Sequence, residues 1–235
     1  MKRPLAGAAR WAKRLVLLAI ALLVVWQLWL FGWVLWWKWN PPYMTRFMEI
    51  RLEEMRRTRP QAVLYQQWVD YARISPHLKR AVVSAEDDLF MNHSGFDWNG
   101  IQKAMEKNRE RGQIVAGGST ISQQLAKNLF LTPRKTALRK AQEAVLTLMI
   151  EATWDKKRIL EVYLNVIEWG NGIFGAEAAA RHYFGVGAHQ LNAAQAARLA
   201  VIIPSPRRFD RRRDSPYLAE RTDIILGRMA SARIP

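Results

Sequence analysis

The sequence predicts an all-α protein: a single helical domain preceded by one apolar helix long enough to cross a bilayer. Three observations predict it. The 23 residues from Leu15 to Trp37 carry no charge. From Ser75 onward apolar residues recur at helical spacing, with no long alternating run of β-branched residues. Glycines and prolines, among them Gly95, Gly112, Gly117-Gly118, Pro133, Gly170, Gly172, Gly175, Gly185 and Pro204, punctuate that pattern at intervals suited to short helices.

The apolar run comes first. About 20 residues cross the hydrocarbon core as a helix, so LVLLAIALLVVWQLWLFGWVLWW spans with some tilt. Trp26, Trp29, Trp33, Trp36, Trp37 and Trp39 crowd its C-terminal half, where a large ring bridges apolar and wet surroundings. Its length, and the lack of a small-residue cleavage pattern, favour an anchor over a cleaved leader. Lys2, Arg3, Arg10, Lys13 and Arg14 precede it with no acid before Glu49, which places residues 1–14 in the cytoplasm and the bulk of the chain outside. Asn40-Pro41-Pro42 breaks the helix. Residues 38–74 read as a charged juxtamembrane connector with some helix, and 75–235 as one compact domain. Within it, helices are predicted over about 76–90, 97–109, 119–130, 137–153, 156–166, 175–183, 191–203 and 215–230. The formal charge is +16 with no cysteine, which excludes disulfide and thiolate-metal frameworks and points to anionic partners.

Three polar constellations carry chemistry. EDDLFMNHSG (Glu86–Gly95) ends an apolar helix with three acids where the helix dipole disfavours them. Crowded carboxylates raise one another's proton affinity, as a general base requires; a solvated acidic turn is the plainer reading of the tripeptide alone, and His93 alone reads as a structural hydrogen-bonder. GGSTISQQLAKN (Gly117–Asn128) leads two glycines into a helix whose Thr120, Gln123, Gln124, Lys127 and Asn128 share one polar face, opposite Ile121, Leu125 and Leu129. Its N-terminus is an expected anion site, and the uncharged face suits a sugar or phosphate as well as it suits solvent. RKAQEAVLTLMIE (Arg139–Glu151) puts Arg139, Glu143, Thr147 and Glu151 on one face and Ala141, Ala144, Val145, Leu148 and Met149 on the opposite, apolar one. Arg139–Glu143 in isolation is an ordinary surface pair.

Together, and followed by KKRILEVYLN (Lys156–Asn165) and WGNGIFGAEAAARHYFG (Trp169–Gly185), these segments resemble the glycosyltransferase domain of peptidoglycan polymerases, found also in bifunctional penicillin-binding proteins. The likeness covers roughly residues 75–210. It implies a lysozyme-like helical fold and a monofunctional enzyme that joins lipid II and a lipid-linked glycan strand through β-1,4 bonds, with inversion and release of undecaprenyl pyrophosphate. Glu86 matches the general base and Glu143 a second carboxylate near the pyrophosphate. Lys127 matches one cationic contact. The second, usually arginine in the family, falls by spacing on Lys135, beside Arg134; lysine keeps the charge and loses the fork. Ser119, Thr120, Gln123, Gln124 and Asn128 match the motif lining the cleft, and Arg139 and His93 accompany them as substrate-binding candidates. The sequence requires no cofactor and has no metal motif, although a divalent cation (Mg or Mn) bridging Glu143 and the pyrophosphate is compatible with it. Expected partners are the bacterial inner membrane and other wall-synthesis or division proteins. Nucleic acid is excluded by compartment, and Arg207-Arg208 and Arg211-Arg212-Arg213 are expected to meet acidic head groups. Residues 97–111, with Trp98, Ile101 and Met105, are expected to form a mobile lid touching lipid. A lysozyme-like hydrolase and a non-catalytic scaffold of the wall machinery are the rival readings.

Overall fold

A computed structural model describes residues 5–113 and 117–235 and resolves two compact units, which meet in sequence at Asn40–Pro41. Lys2 and Arg3 of the basic tail lie outside the described residues.

The first unit is one helix, α1 (Leu5–Trp37). At 1.5 Å per residue its 33 residues extend about 50 Å, and Arg10–Trp37 is long and apolar enough to cross a membrane. The helix starts ahead of the charge-free run because Arg10, Lys13 and Arg14 are good helix formers. Trp29, Trp33 and Trp37, four apart, form a ladder with ring centroids 6.0 and 5.3 Å apart. Asn40 Nδ2 donates to the Trp36 carbonyl at 2.9 Å and closes the last turn.

In the second unit, α2 (Arg46–Arg56) is capped by Thr45 and packs on the later helix α5, so the connector's helix belongs to the domain's core. β1 (Tyr65–Gln66) follows. α3 (Pro76–Glu86) has Ser75 as cap and Pro76 in its first turn, where a missing N–H costs nothing. It stops at Glu86, four residues short of the predicted end, because Asp87 leaves helical geometry (φ −163°). α4 (Trp98–Arg111) is capped by Asp97. α5 (Ile121–Phe130), α6 (Ala137–Thr153) and α7 (Lys156–Val166) follow, the last two over the predicted ranges. β2 (Glu168–Gly170) and β3 (Ile173–Phe174) lead into α8 (Ala176–Phe184), then α9 (Ala193–Ile202), a short unpredicted α10 (Pro206–Asp210), and α11 (Pro216–Arg228).

α5 is the axle of the domain. α2, α6 and α7 pack around it, while α9 packs between α3 and α11. Ile121, Leu125, Ala126 and Leu129 of α5 are buried, with Trp169, Tyr163, Phe90 and Phe174 the bulkiest side chains of the core. Each such burial is worth about 1.5–3 kcal/mol. The helical prediction holds, with a small three-stranded sheet added: β1 runs parallel to β3 (Tyr65 opposite Ile173) and β2 antiparallel to it. Strands of two or three residues are too short to show alternation. The Asn165 amide secures the chain just after β1, donating to Val69 O and accepting from Val69 N, both at 2.9 Å.

α6 corrects the reading of Arg139–Glu143 as an ordinary surface pair, because Glu143 is buried. Glu143, Leu146, Thr147 and Ile150 are the buried face, while Leu138, Val145 and Leu148 are exposed. The two buried polar side chains find partners within α6 itself, Glu143 in Arg139 and Lys140 and Thr147 in the Glu143 carbonyl, so they turn inward without leaving polar groups unpaired.

Candidate active site

α5 orders the site. Thr120 is its cap: Oγ1 accepts from Gln123 N at 3.2 Å, and Gln123 Oε1 accepts from Thr120 N at 3.0 Å. Thr120 Oγ1 also donates to Gly95 O at 2.7 Å. Thr120 and Gln123, expected on a ligand-facing surface, are thus buried and spent on starting the helix. The expected anion at this N-terminus is the protein's own: Asp87 Oδ2 accepts from Ile121 N at 2.9 Å, a carboxylate where the dipole favours one. Asp87 is buried, which corrects the reading of a solvated acidic turn; Asp88 alone is exposed, 3.5 Å from Arg228.

His93 completes this brace. Gly95 N donates to Nδ1 at 3.1 Å, so the ring proton sits on Nε2, 2.9 Å from Asp87 Oδ1. Both ring nitrogens are engaged by protein, and His93 stands away from the cleft lining. Gly95 has φ +93°, and a Cβ there would lie 2.8 Å from Thr147 Cγ2, so only glycine fits.

With α5 fixed, one face of it presents chemistry. Gln124 Nε2 donates to Glu86 Oε2 at 2.7 Å while its Oε1 accepts from Tyr163 OH at 2.9 Å. Burial raises the Glu86 pKa; Gln124 and Lys127 oppose the rise and Asp87 adds to it. One turn on, burial lowers the Lys127 pKa and Glu143 partly restores it. Lys127 Nζ donates no hydrogen bond to a described residue, so its charge is open to the cleft. Asn128, whose Nδ2 donates to Gln124 O at 2.7 Å, continues the wall.

Across from α5, Glu143 is buried between two cations, accepting from Arg139 on one oxygen and from Lys140 on the other. Lys140 also reaches Ser119 Oγ at 3.3 Å. Arg139 Nε is buried with no partner among the described residues, an unused donor at the cavity wall. The cavity, about 350 Å³, is lined by Gln124, Lys127, Asn128, Lys135, Arg139 and Glu143, with Ser119 and Lys140 at its edge. Exposed Lys135 reaches it; Arg134 is absent from the lining.

Three participants escaped sequence reasoning. Lys140 adjoins Arg139 and carries no signal of its own in the sequence. Arg51 of α2 and Glu168 of β2 lie 117 positions apart and pair at 3.1 Å in the cavity wall. Burial raises the Glu168 pKa against the pull of Arg51, and Glu168 Oε1 is buried without a partner among the described residues. No local pattern marks either residue. Among the described residues no group of three or more acidic or histidine side chains is placed to hold a metal.

Residues 53–230 match the family model described as transglycosylase. The chain is 63% identical over 226 residues to the biosynthetic peptidoglycan transglycosylase of Dechloromonas aromatica (strain RCB), covering 96% of this chain and 98% of that one. The corresponding protein of Azoarcus sp. (strain BH72) is 59% identical, covering 96% and 97%, and that of Laribacter hongkongensis (strain HLHK9) 55%, covering 96% and 99%. On this match and these identities the chain belongs to the transglycosylase family.

Proposed function

We propose that the chain is a membrane-anchored peptidoglycan glycosyltransferase that polymerises lipid II into β-1,4 glycan strands in cell wall biosynthesis. The observation that carries this reading is the pairing, on successive turns of α5, of Glu86's partner Gln124 with Lys127, whose charge is open to the cavity.

Glu86, with its raised pKa, is the base that removes the proton from the acceptor 4-hydroxyl. The freed oxygen attacks the anomeric carbon of the donor strand from the face opposite the pyrophosphate. The C–O bond to pyrophosphate breaks with inversion, and the leaving group carries away the electron pair. Lys127, Lys135 and Arg139 stabilise that charge, with the unpartnered Arg139 Nε supplying a buried donor. Glu143 holds Arg139 and Lys140 in place, while Ser119 and Asn128 offer hydrogen bonds to sugar. Thr120, Gln123 and His93 act from behind, by fixing α5. Both Glu143 oxygens are occupied by cations, so a divalent ion bridging it would have to displace one.

α1 anchors the enzyme where lipid-linked substrates reside. The basic residues before the span favour a cytoplasmic N-terminus and a catalytic domain outside the cytoplasm. Trp98 and Met105 are exposed on α4, of which only Ala104 is buried, in keeping with a lid that touches lipid.

Purified protein given lipid-linked disaccharide pentapeptide in detergent should make muramidase-sensitive polymer, and Glu86→Gln should not. Substrate binding without polymer would overturn the reading in favour of a scaffold. Cleavage of finished glycan would overturn it in favour of a hydrolase.

A further inference from the structure

Beside the cationic cavity lies a larger one, about 730 Å³, that shares Arg51, Glu168, Pro204 and Pro206 with it. Arg207, Arg208, Arg211 and Arg212 form its remaining charged lining. The two cavities differ in chemistry. The first mixes lysines, arginine and uncharged hydrogen-bonders; the second is lined by five arginines and one carboxylate, with no lysine.

Most of this charge is uncommitted. Arg51 is held by Glu168 and Glu54, and Arg207 approaches Glu54 only at 3.5 Å. Arg211 Nε donates to its own helix, at Arg207 O. Arg208 and Arg212 are exposed, and neither side chain donates a hydrogen bond to a described residue. The one acid in the wall, Glu168, is buried beneath Arg51 and keeps an unpartnered oxygen. Arginines this close repel one another unless an anion joins them.

The backbone that carries them is firmly placed. Asp210 Oδ1 accepts from Arg213 at 2.7 Å and meets His182 Nε2 at 2.8 Å, while its Oδ2 accepts from Asn171 N at 3.1 Å. α10 is thereby bolted to the turn after β2, and the cluster is presented on a fixed scaffold.

We propose that this arginine-lined cavity binds the peptide carboxylates of the strand held in the neighbouring cleft. The proposal rests on the glycosyltransferase reading above. On that reading the donor strand's pyrophosphate is met by Lys127, Lys135 and Arg139, and the remaining acidic groups of that strand are the carboxylates of its peptide. Guanidinium forks suit planar carboxylates, which accept two parallel hydrogen bonds. A volume twice that of the first cavity has room for a peptide segment, and the shared wall puts it within reach of a sugar bound next door.

The test compares initial rates on lipid-linked disaccharide pentapeptide and on the same substrate with its peptide carboxylates amidated, using the full chain as wild type and as R208Q/R212Q. Both arginines are exposed, and unchanged thermal unfolding would show the variant folded. In wild type, amidation should raise KM about 5- to 10-fold and leave kcat within about twofold, as expected for two partly screened charge pairs. In R208Q/R212Q the native substrate should show the same higher KM, and amidation should add nothing further. Equal KM for the two substrates in wild type, or effects that multiply in the variant, would overturn the proposal. So would an unchanged KM accompanied by weaker association with anionic phospholipid vesicles, which would assign the arginines to a lipid surface. Should the variant not fold, R212Q alone carries the same comparison with a smaller expected change, about 2- to 3-fold. If wild type turns over neither substrate, the glycosyltransferase reading itself has failed, an outcome distinct from turnover that ignores the peptide.

Discussion

Glu86 and Gln124 are joined by a 2.7 Å hydrogen bond whose direction is set from behind: Tyr163 OH donates to the Gln124 oxygen, so the amide NH₂ must face the carboxylate. That bond favours the ionised form of Glu86 while burial favours the neutral one. Gln124→Ala should therefore raise the Glu86 pKa further and move the acid limb of the kcat/KM profile to higher pH. A pH–rate profile with an unmoved acid limb would show that another group is the base.

Glu86→Gln should lower polymerisation by at least about 10²-fold and yet stabilise the domain. A carboxyl whose folded pKa is raised contributes stability below its unfolded pKa and loses it as pH rises through the folded one. At neutral pH the neutral amide avoids that loss. The thermal midpoint should rise, by about 2–4 °C for each kcal/mol relieved, and the gain should vanish in acid. Thermal unfolding at several pH values checks both parts.

Glu143 steadies three cations. Burial already lowers the Lys127 pKa, and Glu143 is the chief group pulling it back up. Glu143→Gln should shift the alkaline limb of activity to lower pH, because Lys127 then loses its proton sooner, and should cost about 10²-fold in kcat/KM. Lys127→Arg in the same background should abolish that shift, since guanidinium does not titrate in the range.

Arg51 and Glu168 form a buried pair at 3.1 Å. Arg51→Ala leaves a buried carboxylate uncompensated and should cost about 3–5 kcal/mol at neutral pH. The raised Glu168 pKa sets the sign: in acid Glu168 takes a proton and the loss shrinks. Adding Glu168→Gln should recover most of the stability at pH 8. Urea unfolding of the three variants at pH 5 and pH 8 reads the cycle.

The chain lacks cysteine, so Trp98→Cys gives a single labelling point on α4. A polarity-sensitive dye there should shift to the blue on reconstitution into bilayers if α4 touches lipid. Identical emission in detergent-free buffer and in vesicles would remove the lid from the account.

Much of this arrangement was legible because caps and periodicity are local. Thr136 and Asp155 mark where α6 and α7 begin, and both helices run as read. Glu86, Gln124 and Lys127 stood out by residue type and spacing and Glu143 only through the family resemblance, and the fold gathers them. What failed to show was direction. Thr120 and Gln123 share a helical face with Gln124 and Lys127, yet a capping box turns the first two inward. α6 buries Glu143 and Thr147 beside Leu146 and Ile150, a choice of face that only its packing against α5 and α7 reveals. Arg51, Lys140 and Glu168 sit in ordinary local contexts and gain meaning from pairings made at a distance.

β1 lies against β3 across 108 positions of chain, and the Asn165 amide grips Val69 across 96. Pairings so remote close slowly, because the intervening loop must be ordered first. A ribosome releases the segment carrying α2 and β1 long before β3 exists. During synthesis that segment, tethered to the apolar helix, must wait as an open end with Phe47, Met48 and Val69 unburied. A still more remote pairing joins the same region: Tyr71 OH donates to Pro235 O at 2.6 Å. The early segment therefore stays open until partners made about a hundred positions later reach it, and a protease present during synthesis meets it in that interval.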